Sequence, residues 1–338
     1  MGDASRTATP FLQVEDLRKY FPVRSGLFHR VSTQVRAVDG VSFSIKAGET
    51  LGLVGESGCG KSTLGRAILR LQEPTSGKIR LDGTDITHLS REQMFAQRAR
   101  MQIIFQDPYA SLSPRRTIAQ SIREPLDVHR VGTPADREKR VLELLDVVGM
   151  SAQVRDRYPH EFSGGQRQRI GIARALALNP GFIVADEPVS ALDVSVQSQV
   201  LNLIAKLKRD HGIAFLFISH DLAVIQHVSD QIGVMYLGRL VEQTSSDALY
   251  KRPKHPYTRA LLSAIPVPDP LLRRKRIVLE GDVPSPMNPP SGCPFHTRCP
   301  DAMPHCSRIP PPTVDVGTLE EPHAVTCHLY DQQGKNDI

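Results

Sequence analysis

A glycine-rich stretch at residues 55–63 limits the possible folds of this chain more than any other feature. It follows the apolar run Leu51 to Val54 and precedes a segment with leucine and isoleucine at helical spacing, so the order is strand, glycine turn, helix. Glycines in such a turn let backbone N–H groups point inward around a phosphate, and the following helix directs its positive dipole end at the anion. The order and spacing predict a P-loop for a nucleoside triphosphate.

The P-loop residues expected to contact the nucleotide are Gly55, Ser57, Gly58, Cys59, Gly60, Lys61, Ser62 and Thr63. Lys61 can reach the β and γ phosphates, and the Ser62 hydroxyl can ligate Mg²⁺. Cys59 is expected to serve there as a small residue. The alternative is a glycine turn that merely joins a strand to a helix. The loop alone indicates a triphosphate and does not indicate the reaction.

The chain is long enough, at 338 residues, for one large domain with an appendage or for two domains. A hydrophobic share of 40% supports a packed core. The formal net charge is +6, but basic residues are interspersed with acidic ones through most of the chain, so we expect no nucleic-acid partner. Five cysteines in a cytosolic chain of this length do not indicate a disulfide framework.

No segment reaches the roughly 18 unbroken apolar residues of a membrane-spanning helix. The longest apolar runs, Ile213 to Ile218 and Phe182 to Ala185, have the length of strands. The N-terminus lacks the charged and apolar regions of a secretory signal. We therefore expect a cytoplasmic protein whose association with a membrane comes through a partner.

Strands alternate with helices through the core. The runs at 182–185 and 213–218 are apolar at every position, which indicates a mostly parallel sheet covered on both faces. Nearer the N-terminus, alternation at 11–21 predicts a strand ending in an aromatic elbow, and a strand pair at 37–45 is expected to turn at Asp39-Gly40. Asp82-Gly83 predicts a short hairpin. The predicted fold class is α/β, with an antiparallel β subdomain beside the parallel core.

A block of helices, about residues 88–180, is inserted into this core of residues 11–245. Ser90 with Gln93 is a capping box, and Thr133-Pro134 begins another helix with proline in its first turn. An apolar interruption at 103–105 separates these helices. Beyond residue 245 prolines are frequent, and four of the five cysteines lie beyond residue 290. We interpret residues 246–338 as a separate small C-terminal extension.

Two carboxylates follow the apolar run at 182–185. Asp186, at the strand end, can bind Mg²⁺, and Glu187 can act as general base toward the attacking water. A helix cap or an ion pair is the alternative. His220 also follows a strand end, where loops gather on the ligand side of open α/β sheets, so it can contact the γ-phosphate. An ordinary structural histidine is the alternative for that residue.

A second glycine pair begins a helix, in the order Ser163-Gly164-Gly165-Gln166. Two glycines at a helix N-terminus form another phosphate site. One chain that binds one nucleotide does not need two such sites. We infer that this helix serves a nucleotide held on another chain.

The succession of motifs resembles the nucleotide-binding domain of ABC ATPases. The matching stretches are Walker A at 55–63, the Q-loop at Gln106, the signature at 162–166, Walker B at 186–187, the D-loop at 190–193 and the switch histidine at His220. Phe162 stands where many members have leucine, and it keeps the apolar character of that position. The resemblance spans about residues 11–245.

The resemblance implies two such domains facing each other head to tail, with each ATP between the P-loop of one and the signature of the other. Phe21 then stacks on adenine, with Tyr20 as the alternative. Gln106 touches Mg²⁺ and the attacking water, its loop faces membrane subunits, and Asp193 lies across the dimer interface. The implied catalytic residues are Lys61, Gln106, Glu187 and His220, and the further nucleotide or Mg²⁺ contacts are Phe21, Gln106, Ser163, Gly164, Gly165, Gln166 and Asp186.

Three more stretches, at 105–115, at 255–262 and at 284–286 with the cysteines that follow, resemble the ATP-binding subunit of dipeptide and oligopeptide importers. This resemblance implies ATP hydrolysis that powers peptide import, at the cytoplasmic face of the membrane. It implies two permease subunits, a homologous second ATPase subunit and an extracytoplasmic substrate-binding protein as partners. Nickel or another small solute is the alternative cargo. A soluble ABC ATPase acting on nucleic acid or ribosomes is a further alternative, although the chain has one cassette and no coiled-coil insertion.

Cys293, Cys299, Cys306 and Cys327 lie in a proline-rich segment with little apolar content, which suggests that a metal orders it. Structural zinc usually has cysteine pairs two to four residues apart, which are missing here, and iron–sulfur clusters vary more in spacing. Spacing alone leaves a cluster, zinc and unligated thiols open. The importer resemblance implies a [4Fe–4S] cluster. A redox or metal sensor that modulates the ATPase is a further hypothesis for this segment.

Overall fold

Capped helices and apolar strands alternate in the computed structural model, which describes residues 10–25, 30–265 and 276–331. The strands are β1 (Leu12–Ser25), β2 (Arg30–Ile45), β3 (Thr50–Val54), β4 (Ser76–Leu81), β5 (Thr84–Asp85), β6 (Met101–Ile104), β7 (Phe182–Asp186), β8 (Ala214–Ile218), β9 (Gln231–Tyr236), β10 (Arg239–Ser245), β11 (Thr313–Asp315) and β12 (His323–Thr326). The α-helices are α1 (Lys61–Ile68), α2 (Arg91–Arg98), α3 (Ile118–Val128), α4 (Pro134–Val147), α5 (Gly164–Leu176), α6 (Val194–His211), α7 (Leu222–Val228), α8 (Ser246–Lys251) and α9 (Pro256–Ser263).

The chain forms two compact units. Of the described residues, the first unit contains 10–12, 45–50 and 80–218, and the second contains 13–25, 30–44, 51–79, 219–265 and 276–331. None of the helices in the described ranges is long and apolar enough to cross a membrane.

The sheet of the first unit is parallel, with β7 between β8 and β6. Every residue of β7 and β8 is buried, as expected for strands covered on both faces. The apolar interruption at 103–105 does not merely separate helices, because β6 pairs with β7 over its whole length. Four residues are too few to reveal a strand by periodicity, and here the pairing with a neighbouring strand decides the conformation.

Side-chain caps begin α2 and α4 of the first unit, as the sequence predicted. Ser90 with Gln93 caps α2, and Thr133 with Asp136 caps α4, whose first residue is Pro134. The buried face of α4 consists of Val141, Leu144 and Leu145. The predicted hairpin at Asp82-Gly83 is confirmed by the antiparallel pairing of β4 with β5.

The N-terminal strands of the second unit lie in the order β2-β1-β4. The predicted turn at Asp39-Gly40 is wrong, because β2 continues through both residues, with Gly40 at a φ of 79°. The elbow predicted at Tyr20 and Phe21 is also wrong, since β1 runs on to Ser25. A half-buried contact holds the two strands in this course: the Asp39 carboxylate accepts hydrogen bonds from the Tyr20 hydroxyl and the Arg239 guanidinium.

The C-terminal extension completes the other sheet of the second unit. In that unit β3 is parallel to β9, β9 is antiparallel to β10, and β10 is antiparallel to β12, which also pairs with β11. Residues of the extension therefore share a sheet with the strand that precedes the P-loop. Strands as short as β11 and β12 cannot be recognised in a proline-rich sequence. They form because β12 pairs with the edge of β10 and β11 pairs with β12.

A buried glutamate holds the extension to β10. Glu242 is 1% exposed and accepts hydrogen bonds from His323 Nε2 at 2.6 Å, the Lys254 N–H at 2.7 Å and the His255 N–H at 2.9 Å. Burial acts to raise the pKa of Glu242, but these hydrogen bonds outweigh it and lower the pKa. The carboxylate is therefore ionised, and it has the hydrogen-bond donors that a buried charge requires.

His255 makes the stability of the second unit depend on pH. It is buried, its Nδ1 accepts the Tyr257 N–H at the start of α9, and burial lowers its pKa to about 4. The unfolded chain binds a proton at about pH 6.5, so it gains protons before the folded chain does as the pH falls. We expect the free energy of unfolding to fall between pH 6.5 and pH 4.5, by at most about 3 kcal/mol.

His255→Asn keeps a side-chain oxygen to accept the Tyr257 N–H and does not titrate. Urea denaturation at intervals between pH 4.5 and 7 should show a smaller slope in this variant than in the parent. An equal slope in both proteins would assign the pH dependence to other groups.

Candidate functional site

The P-loop is built by close approach of backbone segments. A Cβ atom on Gly55 would lie 2.1 Å from the Met235 carbonyl oxygen, and one on Gly60 would lie 1.9 Å from the Ala37 carbonyl oxygen. Gly60 also has a φ of 106°, which side chains rarely adopt. Only glycine fits these two positions, so the glycine spacing read from the sequence has a steric cause.

Lys61 is the first residue of α1, and its side chain folds back into the P-loop. Its side chain is largely buried, the whole residue being 5% exposed, and Nζ donates to the carbonyl oxygens of Gly55 at 2.8 Å and Glu56 at 3.1 Å. The Cys59 sulfur lies 3.7 Å from the same Nζ. Backbone oxygens thus replace the water lost by the ammonium group and fix its position at the N-terminus of α1.

The other predicted P-loop residues surround this lysine. Ser57 and Gly58 are exposed at the tip of the loop, and Ser62 and Thr63 are half-buried in the first turn of α1. Cys59 is buried, and burial raises the pKa of its thiol. A neutral thiol of this kind is consistent with a packing role.

Two contacts to the P-loop were missed by sequence reasoning. The Tyr257 hydroxyl accepts the Glu56 N–H at 2.9 Å, and the Arg298 guanidinium binds the Glu56 carboxylate with two hydrogen bonds of 2.8 and 3.1 Å. Tyr257 belongs to the stretch 255–262, which resembles peptide importers, but that resemblance did not assign Tyr257 a function. Nothing local in the sequence pairs Arg298 with a residue more than 240 positions earlier.

The first unit brings Gln106 and Glu187 together. Gln106 Nε2 donates to Glu187 Oε2 at 2.8 Å. Asp186 is the last residue of β7 and is 1% exposed, whereas Glu187 is half-buried. The Glu187 backbone has a φ of 46° and its N–H donates to the Ile218 carbonyl oxygen. A non-glycine residue in this conformation stores about 1 kcal/mol or more of strain, which packing must hold in place.

The signature residues form the N-terminus of α5. Ser163 caps the helix, its hydroxyl accepting the Gln166 N–H, and Gln166 returns the contact by accepting the Ser163 N–H. Ser163 and Gln166 are exposed, and Gly165 is buried. These residues line an open cleft of about 450 Å³ together with Met150, Arg169, Val196 and Gln199.

Gly165 is required by its neighbour on α6. A Cβ atom on Gly165 would lie 2.2 Å from Val196 Cγ1, and one on Gly164 would lie 3.4 Å from Leu192 Cδ2. The D-loop side of α6 therefore packs directly against the signature. Asp193 is the N-cap of α6, where its carboxylate accepts the Val196 N–H and the Ser195 hydroxyl.

The loop after Gln106 is held by the signature helix. The Arg167 guanidinium lies 3.8 Å from the centre of the Tyr109 ring, and Arg167 Nε donates to the Pro159 carbonyl oxygen at 2.6 Å. Tyr109 is nevertheless 62% exposed. An aromatic face fixed by a cation on one side and open to solvent on the other is suited to contact a partner.

The remaining predicted residues lie in the second unit. His220 follows β8, is exposed, and precedes Asp221, which caps α7. The hydroxyl of Tyr20 is bound to Asp39, whereas the ring of Phe21 is half-buried and faces Lys19, whose Nζ lies 4.8 Å from the ring centre. The Tyr20 side chain is thus held by a hydrogen bond, and the Phe21 side chain has no polar atom that could be held in this way. The choice of Phe21 over Tyr20 for adenine stays a prediction.

The four cysteines of the extension gather in one region. Cys293, Cys306 and Cys327 are buried, and Cys299 is half-buried. Burial raises the pKa of Cys327 to about 12 and that of Cys299 to about 11, and the neighbouring thiols add to both rises. Within the described part of the chain, however, no group of three or more His, Cys, Asp or Glu side chains is placed to hold a metal ion.

Comparison with protein families assigns the class. Residues 38–190, which contain the P-loop, Gln106, the signature and Asp186-Glu187, match the ABC transporter family. Residues 241–306 match the family described as "Oligopeptide/dipeptide transporter, C-terminal region". The site is thus that of an ABC-type ATP-binding cassette, followed by a C-terminal region that matches the one described for oligopeptide and dipeptide transporters.

Relatives of known name cover nearly the whole chain. The oligopeptide transport ATP-binding protein AppF of Bacillus subtilis is 55% identical over 94% of this chain and 97% of its own length. A putative peptide import ATP-binding protein of Brucella ovis is 56% identical over 90% of this chain and 94% of its own length. The chain belongs to the family of ATP-binding subunits of dipeptide and oligopeptide ABC transporters.

Solved structures agree with this fold. The ATP-binding cassette MJ0796, in a dimeric post-hydrolysis state bound to ADP and phosphate, is 28% identical, with a TM-score of 0.62 over 70% of this chain and 98% of that one. CbiO1 from Clostridium perfringens, part of the ABC transporter complex cbiONQ, is 27% identical, with a TM-score of 0.61 over 72% of this chain and 91% of that one.

The contact between Gly165 and Val196 can be tested by stability. Gly165→Ala should destabilise the protein by about 1–3 kcal/mol, because the added methyl group overlaps Val196. Gly171→Ala in the same helix meets no atom within 4 Å and should be neutral or stabilising. Thermal or urea denaturation measures both. In a Val196→Ala background the cost of Gly165→Ala should fall, and an unchanged cost would assign the effect to another contact.

Proposed function

We propose that this protein is the ATP-hydrolysing subunit of an ABC importer and that it powers uptake of dipeptides or oligopeptides across the cytoplasmic membrane. The observation that carries the proposal is a P-loop whose lysine is buried among backbone carbonyls, in a chain 55% identical to an oligopeptide transport ATP-binding protein. A nickel or small-solute importer would use the same kind of ATPase. The peptide cargo is therefore a separate part of the proposal and needs its own test.

The P-loop residues bind the ATP phosphates, and Lys61 provides a fixed positive charge for them. Phe21 stacks on the adenine ring, and its apolar, half-buried face supports that role. The oxygen atoms of Ser62, Gln106 and Asp186 suit Mg²⁺, which prefers oxygen ligands. Bound there, Mg²⁺ would neutralise phosphate charge.

Glu187 is the general base that activates water for in-line attack on the γ-phosphate. Its hydrogen bond from Gln106 supports this role, because it orients the carboxylate. The strained Glu187 backbone supports it as well, since strain is common where a side chain must be aimed at a reacting group. His220 contacts the γ-phosphate and responds to its presence.

A second ATPase subunit completes each site. Ser163, Gly164, Gly165 and Gln166 contact the γ-phosphate held by the partner's P-loop, and Asp193 lies at the interface between the subunits. The open cleft at the start of α5 supports this arrangement, as does the dimeric form of the related cassette MJ0796. In an importer the partner is a homologous second ATPase subunit.

The subunit sits peripherally at the cytoplasmic face of the membrane, bound to two permease subunits. The exposed ring of Tyr109, fixed by Arg167, supports the loop after Gln106 as the permease contact. Because Arg167 belongs to the signature helix, closure of the ATPase dimer would move this loop as well. An extracytoplasmic binding protein delivers the peptide.

Cys293, Cys299, Cys306 and Cys327 bind a [4Fe–4S] cluster, with zinc as the alternative. Four thiols brought into one region from separate parts of the extension support the cluster, since it takes four thiolates. Burial raises the pKa values of Cys293, Cys299 and Cys327 and so disfavours their free thiolates, which a positively charged metal would stabilise. The thiol groups must shift to ligate it, because they are not placed to hold a metal ion now.

Glu187→Gln should keep ATP binding and abolish turnover, because the amide retains the shape and cannot accept the proton. The measurements are ATP affinity, ATP hydrolysis and uptake of labelled peptide into vesicles that contain the permease subunits. Glu143→Gln, an exposed change on α4, is the matched control and should transport normally. Turnover of Glu187→Gln at the parent rate would refute the assignment of the base. Absence of peptide uptake by the parent, with normal ATP hydrolysis, would refute the cargo alone.

Protein purified without oxygen should absorb at about 400 nm if a cluster is bound, and Cys293→Ser should lose that band together with the iron. A colourless preparation with stoichiometric zinc would favour the alternative metal. Cys59→Ser, which changes the cysteine of the P-loop, should leave the absorbance unchanged.

A further inference from the structure

Arg298 ties the cysteine-bearing segment to the P-loop. Its side chain is 7% exposed and makes a two-pronged ion pair with the Glu56 carboxylate, at 2.8 and 3.1 Å. Such a bidentate pair is directional, so it fixes the carboxylate in orientation as well as in position. Arg298 immediately precedes Cys299 in the chain.

Tyr257 holds the same residue by its backbone. Its buried hydroxyl accepts the Glu56 N–H at 2.9 Å. The ring packs against Tyr236 and Phe295, with ring centres 4.8 and 5.4 Å apart, and Phe295 also contacts the ring of Tyr236 edge-on. Phe295 lies in the segment that carries Arg298, so this segment reaches the P-loop by an ion pair and by an aromatic cluster.

Glu56 is the point where these contacts meet the lysine of the P-loop. Its carbonyl oxygen accepts from Lys61 Nζ at 3.1 Å, while its N–H and its carboxylate are held from the C-terminal side. All three polar groups of Glu56 are thus engaged, and these contacts restrict the shape of the loop.

We propose that Arg298 and Tyr257 are positioning residues of the P-loop: they fix Glu56, and through it Lys61, and thereby set the affinity for ATP. This inference rests on the proposed ATP site. Two physical effects act in the same direction. A loop held in shape loses less conformational freedom when the nucleotide binds. The guanidinium also neutralises a carboxylate that would otherwise repel the phosphates.

The segment from Cys293 to Cys299 therefore does more than carry two of the four cysteines: it also contacts the P-loop region. It carries Phe295 and Arg298, and the Cys293 N–H donates to the Cys306 carbonyl oxygen at 2.8 Å, which joins it to the following cysteine loop. Order in this segment and the shape of the P-loop are linked through named contacts. The extension would thus contribute to nucleotide binding, in addition to any metal that it holds.

The test compares the ATP dissociation constant of the full-length protein and its variants by calorimetric titration with Mg²⁺ and ATP. Arg298→Ala should raise the dissociation constant about tenfold, because it removes both the brace and the neutralising charge. In a Glu56→Gln background the same change should raise it less than about twofold, since the pair is already broken. Tyr257→Phe should raise it a few-fold through the unpaired Glu56 N–H. In steady-state assays the KM for ATP should rise by a larger factor than kcat falls.

Arg252→Ala is the control, because it breaks an exposed ion pair of the same length in the second unit, with Glu321. It should leave the dissociation constant at the parent value. If Arg298→Ala does not fold, Arg298→Lys, which keeps the charge and loses the fork, should show an intermediate affinity. A folded Arg298→Ala or Arg298→Lys with parent affinity would overturn the proposal. So would an equal effect of the Arg298 change in the Glu56→Gln background, which indicates packing alone.

Failure of the ATP site itself gives a different result. A parent protein that does not bind ATP, or a Lys61→Ala variant that binds it as tightly as the parent, would refute the site on which this inference rests. Tight binding by the parent, loss in Lys61→Ala and no effect of Arg298→Ala would refute the positioning role only.

Discussion

The buried ammonium of Lys61 is the constraint on which the rest of this structure depends. A positive charge that is almost removed from water needs fixed acceptors, and the carbonyl oxygens of Gly55 and Glu56 provide them. Those carbonyls can turn inward only because the loop presses against other backbone at Gly55 and Gly60, where no side chain fits. The strand before the loop, the helix after it and the contacts around it therefore fix one buried charge at the N-terminus of α1.

In the first unit, close packing and specific contacts position the signature helix, the Glu187 carboxylate and the loop after Gln106. Gly165 lets α6 approach the signature to within van der Waals contact, and the hydrogen bond between Gln106 and Glu187 aims a carboxylate from a strained backbone. The Arg167 guanidinium connects the signature helix to the exposed ring of Tyr109. A displacement of the signature helix would therefore also move the loop that follows Gln106 and its exposed aromatic ring.

The C-terminal extension is joined to the P-loop rather than appended to it. Its strand β12 pairs with β10, Glu242 anchors it, and Arg298 and Tyr257 converge on Glu56. This explains how a proline-rich sequence with few apolar residues becomes ordered without a core of its own. The four cysteines lie in this ordered region, so a metal bound there would act on a structure that already contacts the nucleotide-binding loop.

The sequence by itself determined the elements whose signals are local: the P-loop, the capping box of α2, the cap and first-turn proline of α4, the start of α5, the Asp82-Gly83 hairpin, and Asp186-Glu187 at the end of an apolar strand. These follow from spacing along a few residues, where glycine, capping side chains and apolar runs have direct conformational effects. The tertiary structure alone decided that β6 is a strand, that β2 runs straight through Gly40, and that Arg298 reaches Glu56. Each of these depends on partners far away in the chain, and an ion pair across more than 240 residues has no local pattern to reveal it.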